Sequence, residues 1–142
     1  MPFKVKINCF GRKRELFSDD VSRYLKMVSP YAEVDIRVHK PFSGNSSNLE
    51  GELDNEAAVL QKNSGEGLFK FALSEEGQYF TSKVFADKLL KISEGFRGVV
   101  FNIGSAHGLS QSVKKNSDEV ISLSPMTLPH KFALLILTEQ IY

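Results

Sequence analysis

The chain has 142 residues, 42% hydrophobic and 25% charged, with a net charge of +1. That length suits one domain with a sizeable core, and the near-neutral balance lacks the basic footprint of a dedicated nucleic-acid binder. The single cysteine, Cys9, excludes an internal disulfide, and no apolar run approaches the roughly 18 residues of a membrane span.

Phe3, Val5, Ile7 and Cys9 alternate with Lys4, Lys6 and Asn8, the period-two pattern of a half-buried strand that ends at Gly11. The lysines also break up any secretory apolar core, so a cytoplasmic location is expected. Arg12, Lys13 and Arg14 then cluster at the strand's carboxyl end. Ligands gather at such ends in open α/β sheets. The cluster is therefore a candidate RNA-phosphate contact, with a solvated turn as the plainer reading. Phe17, Val21, Tyr24, Leu25 and Val28 recur at helical spacing and predict a helix from about Glu15 to Val28, stopped before Pro30.

Val34, Ile36 and Val38 alternate with charges and predict a second strand, Ala32 to His39. His39 has no partner at metal-ligand spacing and reads as an exposed or hydrogen-bonded histidine. Lys40 to Asn48 has loop composition. Leu49, Leu53, Ala57 and Leu60 mark a helix ending near Lys62. Glu50, Glu52, Asp54 and Glu56 complement its dipole and read as a solvated face, not a metal site. Leu68 to Leu73 is a third strand, and Glu75-Glu76-Gly77 a turn. Phe85, Leu89, Ile92 and Phe96 predict a helix over about Ser82 to Ser93, capped by Thr81 or Ser82.

The last third is the most informative. Gly98 to Ile103 is a short, β-branched and aromatic run, the pattern of a buried parallel strand. Gly104-Ser105-Ala106-His107-Gly108 follows, and its glycines allow a sharp turn and close approach of another group. A short helix over Gln111 to Ser117 and a strand over Val120 to Leu123 come next. Pro125 and Pro129 then bracket Met126-Thr127-Leu128 in a rigid, non-helical loop. Such a loop displays backbone N–H and C=O groups at set positions and can read an adenine edge. The closing helix, Lys131 to Tyr142, carries six consecutive apolar residues from Phe132 to Leu137. It needs cover on more than one side, and a partner subunit is the simplest cover. Phosphate-loop, zinc-cysteine, His-Glu-x-x-His and Gly-x-Ser-x-Gly patterns are all absent from the sequence.

Ile103-Gly104, Gly108-Leu109-Ser110, the string Ser122 to His130, and Thr138 to Tyr142 together resemble the family of ribosomal RNA large subunit methyltransferase H, of the SPOUT class. The resemblance implies one SPOUT domain over 1–142, an α/β fold with a parallel sheet flanked by helices and a C-terminal trefoil knot. It implies a homodimer, no metal and no membrane. The implied activity is S-adenosylmethionine-dependent methylation, at N3, of a pseudouridine in large-subunit ribosomal RNA. By position, the cofactor would be bound by Leu73, Gly104, Ser105, Ser124, Pro125, Met126, Thr127, Leu128 and Pro129. His130 matches a common family histidine and is the candidate catalytic residue. Ser105 departs from the family's second glycine, and Ser74 from its aspartate. Family members also continue past the tyrosine with a His-Pro-Tyr-His tail, whereas this sequence ends at Tyr142. The alternative expectation is therefore a tail-lacking relative that acts as a cofactor- or RNA-binding module.

Overall fold

Strands and helices alternate along the chain. The computed structural model describes residues 3–11, 19–39, 49–62, 67–104, 109, 111–124, 126 and 130–141. In order these form β1 (Phe3–Phe10), α1 (Asp19–Val28), β2 (Ala32–His39), α2 (Leu49–Lys62) and β3 (Leu68–Tyr79). Then come α3 (Ser82–Ser93), β4 (Gly98–Ile103), α4 (Gln111–Asn116), β5 (Glu119–Ser122) and α5 (His130–Ile141). The sheet order is β2-β1-β4-β3-β5, and all four pairings are parallel. Parallel neighbours need long crossovers, so helices fall on both faces.

Strand parity sorts the side chains. Val5, Ile7, Cys9, Phe71, Val99, Phe101, Ile103 and Ile121 meet Phe85 and Ile92 of α3 and Ala133, Leu134 and Leu137 of α5. Phe71 and Phe101, both fully buried, stack with centroids 5.0 Å apart. Each such ring contributes roughly 1.5–3 kcal/mol on burial. On the opposite face Phe10 and Ala72 pack with Ala57 and Leu60 of α2, Leu109, and Val113 of α4.

The expected elements appear with three differences. First, β1 is not half-buried: Asn8 is 0% and Phe10 1% exposed. It lies between β2 and β4, and its second face is covered too. Second, β3 does not stop at Leu73. It runs to Tyr79 with a register shift, so that both Leu73 and Gln78 pair with Ile121. The expected Glu75-Glu76-Gly77 turn is thus an irregularity inside the strand. A Cβ on Gly77 would lie 2.6 Å from the Val120 carbonyl oxygen, so only glycine lets the β5 backbone come this close. Third, α4 and β5 end one residue earlier than expected, and β5 and α5 begin one residue earlier, the usual uncertainty of element ends. The N-terminal part of the helix expected from Glu15, and the Lys40–Asn48 loop, lie outside the described residues.

Thr81 caps α3, its Oγ1 accepting from the Val84 N–H at 3.2 Å. After β5, at one edge of the sheet, the chain turns back, and α5 packs on α1, β1 and β4. Leu134 and Leu137 are fully buried there, while Leu135 and Ile136 are half-buried.

Candidate functional site

The register brings three strand ends level. Leu73 of β3 pairs with Ile103 of β4 on one side and Ile121 of β5 on the other. Gly104 and Ser122 therefore each follow one residue beyond this row. Ile103 and Ile121 are buried, Leu73 is half-buried and Gly104 is buried. The row is an apolar shelf at the carboxyl edge of a parallel sheet, the edge where open α/β sheets bind ligands.

Two serines shape the exit from β5. The Ser122 hydroxyl donates to the Ser124 carbonyl at 2.6 Å and accepts from the Ser124 N–H at 3.2 Å. One hydroxyl can do both, having one hydrogen and two lone pairs. The Ser124 hydroxyl in turn accepts from the Met126 N–H at 3.0 Å. These successive side-chain turns hold Ser122, Ser124 and Met126 without regular structure, and Met126 is 75% exposed. The β3 irregularity is tied to α4 by Lys114 Nζ and Glu76 Oε2 at 3.0 Å. Lys88 of α3 reaches Glu119 of β5 at 2.7 Å. Both pairs are partly exposed and weakly stabilising.

Of the residues expected to bind cofactor, Leu73, Gly104, Ser124 and Met126 are described and belong to this one edge. Ser105, Pro125, Thr127, Leu128 and Pro129 lie outside the described residues. His130 opens α5, immediately after the loop, and its side chain lies outside them as well. So do Arg12, Lys13 and Arg14. The described chain before them ends at Gly11, with φ 146° and its N–H bonded to the His39 carbonyl at 3.0 Å. Sequence reasoning missed Ser122 and Gly77 as parts of the edge. The Ser-x-Ser spacing ahead of a proline was a usable signal for the first. Gly77 read only as a turn.

The edge is lined by leucine, isoleucine, glycine and serine, with the backbone groups of the strand ends as its polar equipment. That donor set fits a neutral, flat heterocycle with an apolar flank, as in an adenosine cofactor. Among the described residues no three His, Cys, Asp or Glu side chains group to hold a metal, and no helix is long and apolar enough to cross a membrane. Cys9 is no nucleophile: burial pushes its thiol up to about 12, and its Sγ lies 3.7 Å from the Arg37 carbonyl.

A parallel sheet of this order, with a glycine and a serine-tied turn at its carboxyl edge, is an α/β architecture of the class that binds ligands at the ends of its strands. The family model described as Predicted SPOUT methyltransferase matches residues 3–142, and the chain belongs to that SPOUT methyltransferase family. Ribosomal RNA large subunit methyltransferase H of Dictyoglomus thermophilum is 37% identical over 141 residues, covering 97% of this chain and 90% of the relative. The protein of that name from Streptococcus pyogenes serotype M18 is 32% identical over 145 residues, covering 98% and 91%.

Proposed function

We propose that this protein transfers a methyl group from S-adenosylmethionine to N3 of a pseudouridine in large-subunit ribosomal RNA. The observation that carries the reading is the level row Leu73, Ile103 and Ile121, with Gly104 and the Ser122–Ser124 turn just beyond it. The names and near-complete coverage of the two relatives support the RNA substrate.

When bound, S-adenosylmethionine supplies a methyl group already activated by its sulfonium. The protein's own work is then placement. Leu73 offers an apolar flank, and Gly104 leaves room beside the backbone. The serine ties hold Ser124 and Met126; the backbone groups of Ser124 to Pro129 meet the adenine edge, and Ser105 contributes with Gly104 to the cofactor site. His130, at the start of α5, accepts the proton that the target nitrogen loses. Arg12, Lys13 and Arg14 at the end of β1 contact RNA phosphates. The return of α5 from the β5 edge to α1, β1 and β4 supports a C-terminal trefoil knot. The half-buried Leu135 and Ile136 support a homodimer in which a second copy covers that side of α5. The setting for this reaction is the cytoplasm.

The test is incubation with unmodified large ribosomal subunits and methyl-labelled S-adenosylmethionine, followed by nucleoside mapping. Label in a single pseudouridine is expected. A protein that binds the cofactor yet labels no RNA would instead support the binding-module reading.

A further inference from the structure

Tyr79 closes β3 with its ring 66% exposed. Its neighbour Phe80 turns inward: it packs against the apolar core, and Lys88 Nζ of α3 lies over its ring at 5.3 Å. Successive side chains leave an extended chain on opposite sides, so the Tyr79 ring faces away from α3. The backbone beneath the ring is held at several points. Tyr79 pairs with Ser122, one step beyond the pair Gln78 and Ile121. Gly77, two residues earlier, sits against the Val120 and Ile121 backbone. Glu76 is bridged to Lys114 of α4 at 3.0 Å, and Thr81, two residues later, caps α3. The ring therefore stands on a fixed mount and not on a free loop.

That mount is level with the edge proposed for the methyl donor. Ile121 pairs with Leu73 and Gln78 alike, so Gln78 stands level with the row Leu73, Ile103 and Ile121. Tyr79 is one residue further out, opposite Ser122, whose hydroxyl holds Ser124. Paired strands lie about 4.8 Å apart, so the ring rises one strand spacing from the Ser122–Ser124 turn. Among the described residues the other exposed rings are Tyr31 and Phe96. Both lie at the opposite end of the sheet, just before β2 and β4 begin. Methyl transfer needs the acceptor nitrogen within about 3.5 Å of the donor carbon, so the target nucleotide and its neighbours must come to the edge where Tyr79 stands. Unpaired bases of RNA are held there by stacking on aromatic rings. The nearby charges favour a base over a phosphate: Glu75 and Glu76 are exposed, and Lys114 is already engaged by Glu76.

We propose that Tyr79 is a stacking platform for an unpaired base of the RNA substrate, beside the nucleotide that receives the methyl group. This rests on the methyl-transfer reading above and adds to it a residue that binds the acceptor strand. The ring takes the flat face of one base, and it does so whatever the base, because every base has a π-face. The contact is the same before and at the transition state, so it acts on KM and not on kcat.

The experiment has two arms. In transfer assays on large ribosomal subunits, Tyr79→Ala and Tyr79→Leu should raise KM by roughly tenfold, the loss of one stacked base, with kcat unchanged. Tyr79→Phe keeps the ring and should restore the parent KM. S-adenosylmethionine affinity should be the same in every variant, which also reports that each is folded. For the second arm, the chain has no tryptophan, so Tyr79→Trp places a single reporter at the position. Protein-free large-subunit ribosomal RNA should quench its emission. An unchanged KM in Tyr79→Ala would overturn the proposal, and so would a Tyr79→Phe as impaired as Tyr79→Ala, which would assign the hydroxyl and not the ring. So would an unquenched Tyr79→Trp, or one whose emission is blue-shifted without RNA and shifts back on dilution, because a second copy of the chain would then cover the ring. A parent that transfers methyl groups while Tyr79→Ala matches it loses only this proposal. A parent that binds no S-adenosylmethionine and labels no RNA loses the methyl-transfer reading; quenching by RNA would then still support Tyr79 as an RNA contact, and no quenching would remove both.

Discussion

The two faces of the sheet use the same strands for different ends. Towards α3 and α5 the strands present an apolar centre, with Phe71 and Phe101 stacked and Phe85 tilted against Phe101 at 6.1 Å, and a charged residue, Glu119, only towards the β5 edge, where Lys88 of α3 meets it. Towards α2 and α4 the apolar set is smaller, and Asn8, Asn102 and Lys70 interrupt it. A buried asparagine pair contributes less than the aliphatic or aromatic pair it displaces, and it becomes costly when half of it is removed. The first face therefore carries stability. The second trades some stability for fixed polar groups. The edge proposed for the cofactor lies where β4, β3 and β5 end, and its row Leu73, Ile103 and Ile121 packs on the first face.

Substitutions should separate these roles. Phe101→Ala removes a fully buried ring from the apolar face; a loss of about 3–5 kcal/mol in urea unfolding is expected. Lys70→Met, on the other face, should stay within about 0.5 kcal/mol of the parent. If the two losses were similar, the contrast between the faces would fail.

Gly77→Ala probes the junction of core and edge. Its new methyl meets the Val120 and Ile121 backbone, so an overpacking cost of about 1–3 kcal/mol is expected. Because β5 leads into the Ser122–Ser124 turn, cofactor affinity should fall along with stability. Unchanged affinity in calorimetry would separate β5 from the edge.

Asn102→Ala deprives Asn8 Nδ2 of its acceptor and should cost about 1–3 kcal/mol. Adding Asn8→Val in that background should cost clearly less than Asn8→Val alone, the mark of coupling in a double-mutant cycle. Additive losses would mean that the pair does not act as a unit.

The smallest effect is on pH. Burial first, then the Lys6 and Arg37 charges, lowers the His39 pKa in the folded protein. The unfolded chain then binds more protons than the folded one once pH falls through about 6.5. Stability should be complete above that value and decline as pH falls from it towards the lower folded pKa. His39→Gln should flatten this slope in denaturation series between about pH 5.5 and 7.5, a window above most carboxylate titration.

Local patterns made most of the fold legible. Alternation marked β1 and β2, a β-branched and aromatic run marked β4, and Thr81 marked the start of α3. Non-local pairing hid the rest. The lysines and Asn8 made β1 look wet on one side, because the partner that buries Asn8 lies 94 residues away. Glu75-Glu76-Gly77 reads as a turn, and only the pairing of Gln78 and Tyr79 with β5 keeps it in the strand. At the edge, Leu73, Gly104 and Ser124 were named through the family's motif and not through periodicity. The hydroxyl of Ser122 was hidden because its hydrogen bonds depend on the path of the loop, which composition does not specify.

The most direct measurement is calorimetric titration of the purified 142-residue chain with S-adenosylmethionine. Saturable micromolar binding, at one cofactor per subunit or one per dimer, is the predicted result, and Gly77→Ala should weaken it. No heat and no competition by S-adenosylhomocysteine, from a chain that unfolds cooperatively, would contradict the assignment of the Leu73–Gly104–Ser124 edge as the methyl-donor site.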